Sequence, residues 1–197
     1  MKRQENRLQT ENALISKAKA GDRNAFGQLV ETYQAQILAL AYDLMGNYDD
    51  ASDLAQDAFI RAFKSLASFE ERARFSTWLY RITVNLAMDV HRKRKRRPTS
   101  SFEDHFRDGT PPETTPDLIE QPSNALEQDE LHKMLNKALD QLTENQRTAT
   151  VLKYFQHLSC KEIAEIMGCA EGTVRIHLHR ALNHLRKRVK KQDIYHE

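Results

Sequence analysis

The most specific chemistry in this sequence belongs to side chains that bind rather than to side chains that break bonds. Arg92-Lys93-Arg94-Lys95-Arg96-Arg97 is a run of six consecutive cations, and it closely follows a segment holding Phe69, Phe75, Trp78 and Tyr80. Guanidinium and ammonium groups neutralise phosphates while aromatic faces stack on unpaired bases, so the pairing suits single-stranded nucleic acid. Trp78 alone reads as core; the combination reads as a binding surface. A second group, Arg175, His177, His179 and Arg180, lies on one helical segment and suits base edges and phosphates of a duplex. A third, Asp53, Gln56, Asp57 and Arg61, is a polar helical face. Asp49 and Asp50 precede it at a helix start, where carboxylates offset the helix dipole; Asp53 and Asp57 lie too far in for that role.

Bond-making chemistry has no comparable foothold. There is no GxxxxGK[ST] or GxGxxG loop to cradle a nucleotide and no paired acid and base, so no catalytic residue, cofactor or small-molecule substrate is expected. His177 and His179 are two residues apart and do not share a helical face, which disfavours metal ligation. Cys160 and Cys169 form neither a disulfide framework nor a CxxC motif and are expected to pack or cap, in a reducing cytoplasm.

The 197 residues carry a net charge of only +2, but it is unevenly spread. Residues 1–97 carry a net +5, residues 98–130 a net -8, and residues 131–197 a net +5. Two basic blocks joined by an acidic stretch suggest two nucleic-acid-facing domains and a solvated connector. All five prolines, Pro98, Pro111, Pro112, Pro116 and Pro122, fall in that connector, which marks 98–123 as a flexible linker between domains at 1–97 and 124–197. No apolar run approaches the ~18 residues of a membrane span, and Met1-Lys2-Arg3 leads into no signal-peptide core, so neither insertion nor export is expected.

Helices must position these groups. Leu14, Ile15 and Ala18 predict a short amphipathic turn ended by Gly21, with Asp22 capping the next helix. Phe26, Leu29, Val30, Tyr33, Ile37, Leu38, Ala41 and Leu44 recur at three- and four-residue steps until Gly46-Asn47 supplies a stop. From Asp49 or Asp50 a third helix buries Leu54, Ala55, Ala58, Phe59, Ala62 and Phe63. Ser76 is a candidate cap for a fourth, with Trp78, Leu79, Ile82, Leu86 and Val90 as its buried stripe. Further on, Thr143 with Gln146 and Ser159 with Glu162 have capping-box spacing, so helices should start near Glu144 and Cys160. Ala164, Gly168 and Val174 have the spacing of a helix-turn-helix: a small residue at a helix crossing, a glycine at the turn and an apolar residue seating the second helix. That helix, about Glu171 to Arg188, would bury Val174, Leu178, Leu182 and Leu185.

Read together, these strings resemble the extracytoplasmic-function, or group IV, bacterial sigma factors over nearly the whole length. Gly21-Asp22 through Ala25-Phe26, Asp53-Leu54-Ala55-Gln56-Asp57-Ala58-Phe59, and Phe75-Ser76-Thr77-Trp78-Leu79-Tyr80-Arg81-Ile82 with Asn85 resemble region two in order and spacing. Ser159 through Glu162-Ile163-Ala164 and Gly172-Thr173-Val174-Arg175 through Leu178-His179-Arg180-Ala181 resemble region four.

The resemblance implies an all-α fold of two helical domains, a region-two bundle and a region-four helix-turn-helix, joined by the acidic linker. It implies that Asp53, Gln56, Asp57 and Arg61 dock the clamp coiled coil of RNA polymerase's largest subunit. Ser68, Phe69, Phe75 and Trp78, with Asn85, Arg92 and Lys93, would capture a flipped non-template base and its strand at the minus-ten element. Thr173, Arg175, Ile176, His179 and Arg180 would face the minus-thirty-five duplex. Where Ile176 and His177 stand the family more often has Ser or Lys and then Arg, which implies a promoter preference of this chain's own. The implied partners are core RNA polymerase, promoter DNA and an anti-sigma factor; the implied role is promoter selection and melting without enzymatic activity. A freestanding helix-turn-helix regulator is the rival reading. It leaves the Asp53–Phe59 string and the Trp78–Asn85 helix without a purpose.

Overall fold

The computed structural model describes residues 2–70, 73–96 and 137–193. The linker 98–123, with its prolines and acidic residues, and residues 124–136 lie outside the described residues. Among the described residues all regular structure is helical. We number the helices α1 (Lys2–Lys19), α2 (Arg23–Met45), α3 (Tyr48–Ser65), α4 (Phe75–Arg96), α5 (Glu144–Thr150), α6 (Cys160–Met167) and α7 (Glu171–Asp193).

The first four helices form one bundle. Asp22 caps α2 by accepting from the Asn24 and Ala25 N–H groups at 2.9 and 3.1 Å, as its position after Gly21 predicts. Gly46, at φ 81°, ends α2 in the left-handed conformation and donates to the Tyr42 carbonyl at 2.8 Å. Asn47 then does more than stop the helix: its side chain accepts from the Asp50 N–H at 2.9 Å, so α3 starts at Tyr48 rather than Asp49 or Asp50. Helix α1 is longer than the short turn expected, because a largely polar segment extends ahead of the anchoring Ile15 and Ala18, both buried.

Two expectations for α4 shift. Its first turn closes one residue before Ser76, with the Trp78 N–H donating to the Arg74 carbonyl at 3.1 Å. Its buried positions are Phe75, Leu79, Thr83, Val84 and Ala87, whereas Trp78, Ile82, Leu86 and Val90 are only half-buried. The cause is that α4 is packed on more than one side, by α2 and α3 of its own bundle and by α6 of the second domain. Similarly, Phe63 on α3 is 41 % exposed although it was expected inside.

In the second domain both predicted capping boxes are present. Thr143 and Gln146 exchange hydrogen bonds ahead of α5 (3.2 and 3.4 Å), and Ser159 and Glu162 do so ahead of α6 (2.9 and 3.2 Å). Helix α5 loosens into a π-helical turn over Val151–Phe155, and His157 follows at φ 54°, an uncommon conformation for a residue with a Cβ. Gly168, at φ 64°, makes the turn between α6 and α7. Helix α7 buries Val174, Leu178 and Ala181 and half-buries Leu182 and Leu185. The helix-turn-helix inferred from Ala164, Gly168 and Val174 is therefore formed.

Candidate functional site

The outer face of α3 follows from what its inner face buries. Ala51, Leu54, Ala55, Ala58 and Ala62 are buried, which turns Asp53, Gln56, Asp57 and Arg61 outward, all exposed. Small alanines let α3 lie close to α2, the neighbour with which it packs most extensively. Sequence reasoning missed one member of this face. Ile60, one turn beyond the exposed Gln56 and Asp57, is itself 44 % exposed. Its position on the polar arc of the helix was the available signal. Phe63, one turn further, has its ring edge-on to Phe26 with centroids 5.0 Å apart, and keeps its other side in solvent.

The segment from Ser68 to Trp78 is built around an aromatic cluster. A short 3-10 turn over Leu66–Ser68 ends α3, with Ser68 itself exposed and its hydroxyl donating to the Ser65 carbonyl at 2.7 Å. Phe69 and Phe75 are 4 % and 2 % exposed, and their centroids are 5.7 Å apart. Trp78 lies tilted against both, at 5.1 and 5.6 Å, and Lys19 sits over the Phe69 ring at 5.4 Å. This corrects one expectation: in this arrangement the rings of Phe69 and Phe75 are packed inside the bundle and are not offered to a base. A cavity of about 500 Å³ opens above them, lined by Ser68, Phe69, Thr77, Trp78, Arg81 and Glu165.

Trp78, Asn85 and Arg92 are spaced by seven residues, so they fall on one side of α4 at intervals of ~10.5 Å along its axis. Asn85, Arg92 and Lys93 are exposed. Arg92 stands 3.4 Å from Asp89 and 3.7 Å from Glu144 of α5. Arg94 pairs with Asp50 at 2.6 Å, tying the cationic end of α4 to the start of α3. His91, half-buried, hydrogen-bonds the Leu44 carbonyl at 3.2 Å. Burial is the main cause holding its pKa below the usual histidine value.

On α7 the buried positions turn Arg175, Ile176, His179 and Arg180 outward, with Ile176 51 % exposed. Thr173 is half-buried, its N–H donating to the Ala170 carbonyl at 2.9 Å in the first turn. Arg175 is held by Glu171 one turn back at 2.9 Å, and His179 faces the Asn183 amide at 3.3 Å. His177 points to a different, half-buried flank, where burial and then the charge of Arg180 depress its pKa. It is therefore mostly neutral near pH 7. Cys160 and Cys169 are free, partly buried thiols at the two ends of α6. Among the described residues no three His, Cys, Asp or Glu side chains come together as a metal site, and no helix is long and apolar enough to cross a membrane.

Residues 29–97 match the family described as Sigma-70 region 2, and residues 132–185 match Sigma-70, region 4. The extracytoplasmic-function RNA polymerase sigma factor SigW of Bacillus subtilis is 38% identical over 184 residues, 89% of this chain and 95% of that protein. The RNA polymerase sigma-H factor of Pseudomonas aeruginosa is 38% identical over 172 residues, 85% of this chain and 88% of that one. Among solved structures, the sigma factor RpoE of Bartonella quintana in complex with the anti-sigma factor NepR aligns with a TM-score of 0.58 at 28% identity. That alignment covers 84% of this chain and 96% of that one. CnrH in complex with the cytosolic domain of CnrY aligns with a TM-score of 0.65 at 23% identity, covering 92% and 98%, a likeness of fold.

Proposed function

This chain belongs to the extracytoplasmic-function sigma factors, the subunits that give RNA polymerase its promoter specificity, and from that premise we propose which of its surfaces meets each partner. The observation that carries the reading is the outward placement of three chemically distinct faces on two family-matched domains: acidic α3, the cationic α4 end, and the first turns of α7. The domains are assigned to 1–97 and 124–197, with 98–123 as the connector.

The α3 face of Asp53, Gln56, Asp57 and Arg61 docks the polymerase clamp, with Ile60 as an apolar anchor in its midst. An apolar residue ringed by polar ones is what a hot spot requires, since the ring excludes water from the contact. The loop that begins at Ser68, together with Trp78 and Asn85, receives the minus-ten base after it leaves the stack, while Arg92 and Lys93 hold the strand's phosphates. Extruding a base costs a few kcal/mol, which a preformed cavity and fixed cations offset. Phe69 and Phe75 act from beneath, by fixing the Trp78 ring. Arg175, Ile176, His179 and Arg180, with Thr173 at the helix start, lie along the major groove of the minus-thirty-five duplex. An anti-sigma factor is a further partner, as in the solved complex of the B. quintana relative. The chain acts in the cytoplasm and carries out no bond chemistry of its own.

The test is reconstitution. Purified chain added to core polymerase should give transcription from a subset of a randomised promoter library, and core alone should not. Tight sequence-specific duplex binding by the free chain, with no core association, would instead make it a freestanding regulator.

A further inference from the structure

The outward side of α4 is cationic at its far end, yet it carries a carboxylate. Asp89 follows Asn85 by four residues and precedes Arg92 by three, so it falls on the same side of the helix as both. Its side chain is 53 % exposed. On a surface that must take a polyanion such a group opposes binding, because like charges brought together repel. A role in holding the fold would explain its place, as it does for Asp50, whose pairing with Arg94 ties α3 to α4. Asp89 instead pairs within its own helix: Arg92 Nη1 stands 3.4 Å from its Oδ1, and both partners are about half exposed. Exposed pairs of this kind add little to stability, and 3.4 Å is longer than the ~2.7–2.9 Å of a charge-assisted hydrogen bond. The ion pair tempers the carboxylate's charge without using up its capacity to accept.

We propose that Asp89 is a base-reading residue of the minus-ten surface, which selects cytosine about two base steps from the captured nucleotide by accepting from its N4 amino group. The inference rests on the reading of α4 as the face that meets that element. Four residues advance ~6 Å along a helix, close to two stacked bases at ~3.4 Å each, which sets Asp89 over a near neighbour of the base that Asn85 receives. A carboxylate only accepts, so it discriminates by what each base offers on its major-groove edge. Cytosine presents its amino donor there. Adenine presents an amino donor beside the N7 acceptor, which repels one carboxylate oxygen. Guanine and thymine present acceptors alone, and both are rejected. Arg92, beside Asp89 and holding the strand's phosphate, offsets the repulsion between that phosphate and the carboxylate. Asp89 thus lowers general affinity and adds choice, the repulsive element that specificity needs alongside the attractive one.

The test uses full-length wild type, Asp89→Ala, Asp89→Asn and Arg92→Ala, each checked for folding by circular dichroism and reconstituted with core polymerase. Each transcribes a promoter library randomised through the minus-ten element. Wild type should favour cytosine over thymine and guanine at one position by about ten-fold, the range of one well-placed base contact. Asp89→Ala should flatten that position alone and raise output from mismatched promoters, since a charge that opposed them is gone. Asp89→Asn should move the preference to adenine, whose N6 and N7 suit an amide bidentately. Arg92→Ala should lower output from all promoters alike and leave the cytosine preference in place.

If Asp89 served only to position Arg92, its variants would follow Arg92→Ala, weakening every promoter without moving any preference. That result overturns the proposal, as does a wild-type preference for guanine or thymine at the position the Asp89 variants change. If all four proteins transcribe with no dependence on the minus-ten sequence, α4 does not lie on that element, and the underlying reading falls together with the proposal.

Discussion

The Trp78 ring lies tilted against that of Phe69 with centroids 5.1 Å apart, and together with the Phe69–Phe75 contact this fastens the segment leaving α3 to the first turns of α4. Both rings line the cavity, but Phe69 is buried and Trp78 only half-buried, so Phe69 is the stronger anchor of the two. Phe69→Ala should therefore unsettle the cavity and cost stability as well, by ~3–5 kcal/mol for an aromatic ring lost from a core. Asn85→Ala, at an exposed position, should leave the melting temperature alone. It should impair open-complex formation more than closed-complex formation. A pre-melted fork carrying the correct minus-ten bases decides the second point: if Asn85→Ala binds that fork as well as wild type does, Asn85 is not in the capture site.

Charge and apolar contact on α3 are separable. Asp57→Arg reverses an exposed charge without touching Leu54 or Ala58 beneath it, and Ile60→Asp removes the exposed anchor. Both should preserve the helical circular-dichroism signal and weaken core association. The Ile60 variant should lose more, on the order of 2 kcal/mol for a hot spot, and its loss should be the less sensitive to salt. Equal, salt-dependent losses in both would mean that the face works by charge alone.

On α7, the two neighbours Ile176 and His177 should behave differently. Ile176→Ser should change the preferred base at about one position of the minus-thirty-five element, with discrimination altered by ~1–3 kcal/mol or less and little change in salt slope. His177 is depressed in pKa and turned to a half-buried flank, so His177→Ala should leave both preference and salt slope nearly unchanged at pH 7.5. A randomised element transcribed at two salt concentrations reads both outcomes. A preference that follows His177 would show the helix to be rotated in the groove.

Acid should act at two places. Glu162 is held below the usual carboxylate range chiefly by its hydrogen bonds to Ser159, so the α6 cap contributes above the unfolded carboxylate pKa and is lost as pH falls through the lower folded value. Ser159→Ala should cost ~1 kcal/mol at neutral pH, and the variant's melting temperature should fall less steeply than wild type's on acidification. His91 is depressed for the opposite reason. It is a half-buried base: burial is the main cause, Arg147 and Arg94 add to it, and the hydrogen bond to the Leu44 carbonyl and the charge of Glu144 only partly offset them. Its contribution is complete above the unfolded histidine pKa of ~6.5 and fades as pH drops below it. His91→Gln should flatten the stability profile between pH 7 and 5.5; an unaltered profile would remove His91 as its source.

His157 sits at φ 54° with a Cβ that this conformation disfavours. Replacing it with glycine should raise stability by ~1 kcal/mol, the cost of a left-handed backbone for an ordinary residue, read as a higher midpoint in urea. A lower midpoint would mean that the imidazole makes a compensating contact.

Much of this protein was legible in its residues because the signals are local. Periodicity placed α2, α3 and α7, since a helix buries whatever recurs every three or four residues. Ser159 with Glu162 and Thr143 with Gln146 announced their helix starts, because a capping box is satisfied within four consecutive residues. The polar arc of Asp53, Gln56 and Asp57 and the outward set on α7 followed from the same arithmetic. What only the tertiary structure decided depends on contacts between segments far apart in the chain. Phe69 and Phe75 carry the same aromatic chemistry as Trp78, and nothing local says that they pack against Tyr33, Lys19 and each other while Trp78 stays at the surface. Phe63 shares the apolar arc of α3 with Ala55, Ala58, Phe59 and Ala62, and only the way α2 covers that arc leaves its ring 41 % exposed. No pattern foretold that Gln156, a polar residue after an irregular turn, would span Asp43 and Tyr80. A hydrogen bond between residues more than a hundred positions apart leaves no periodicity in the sequence.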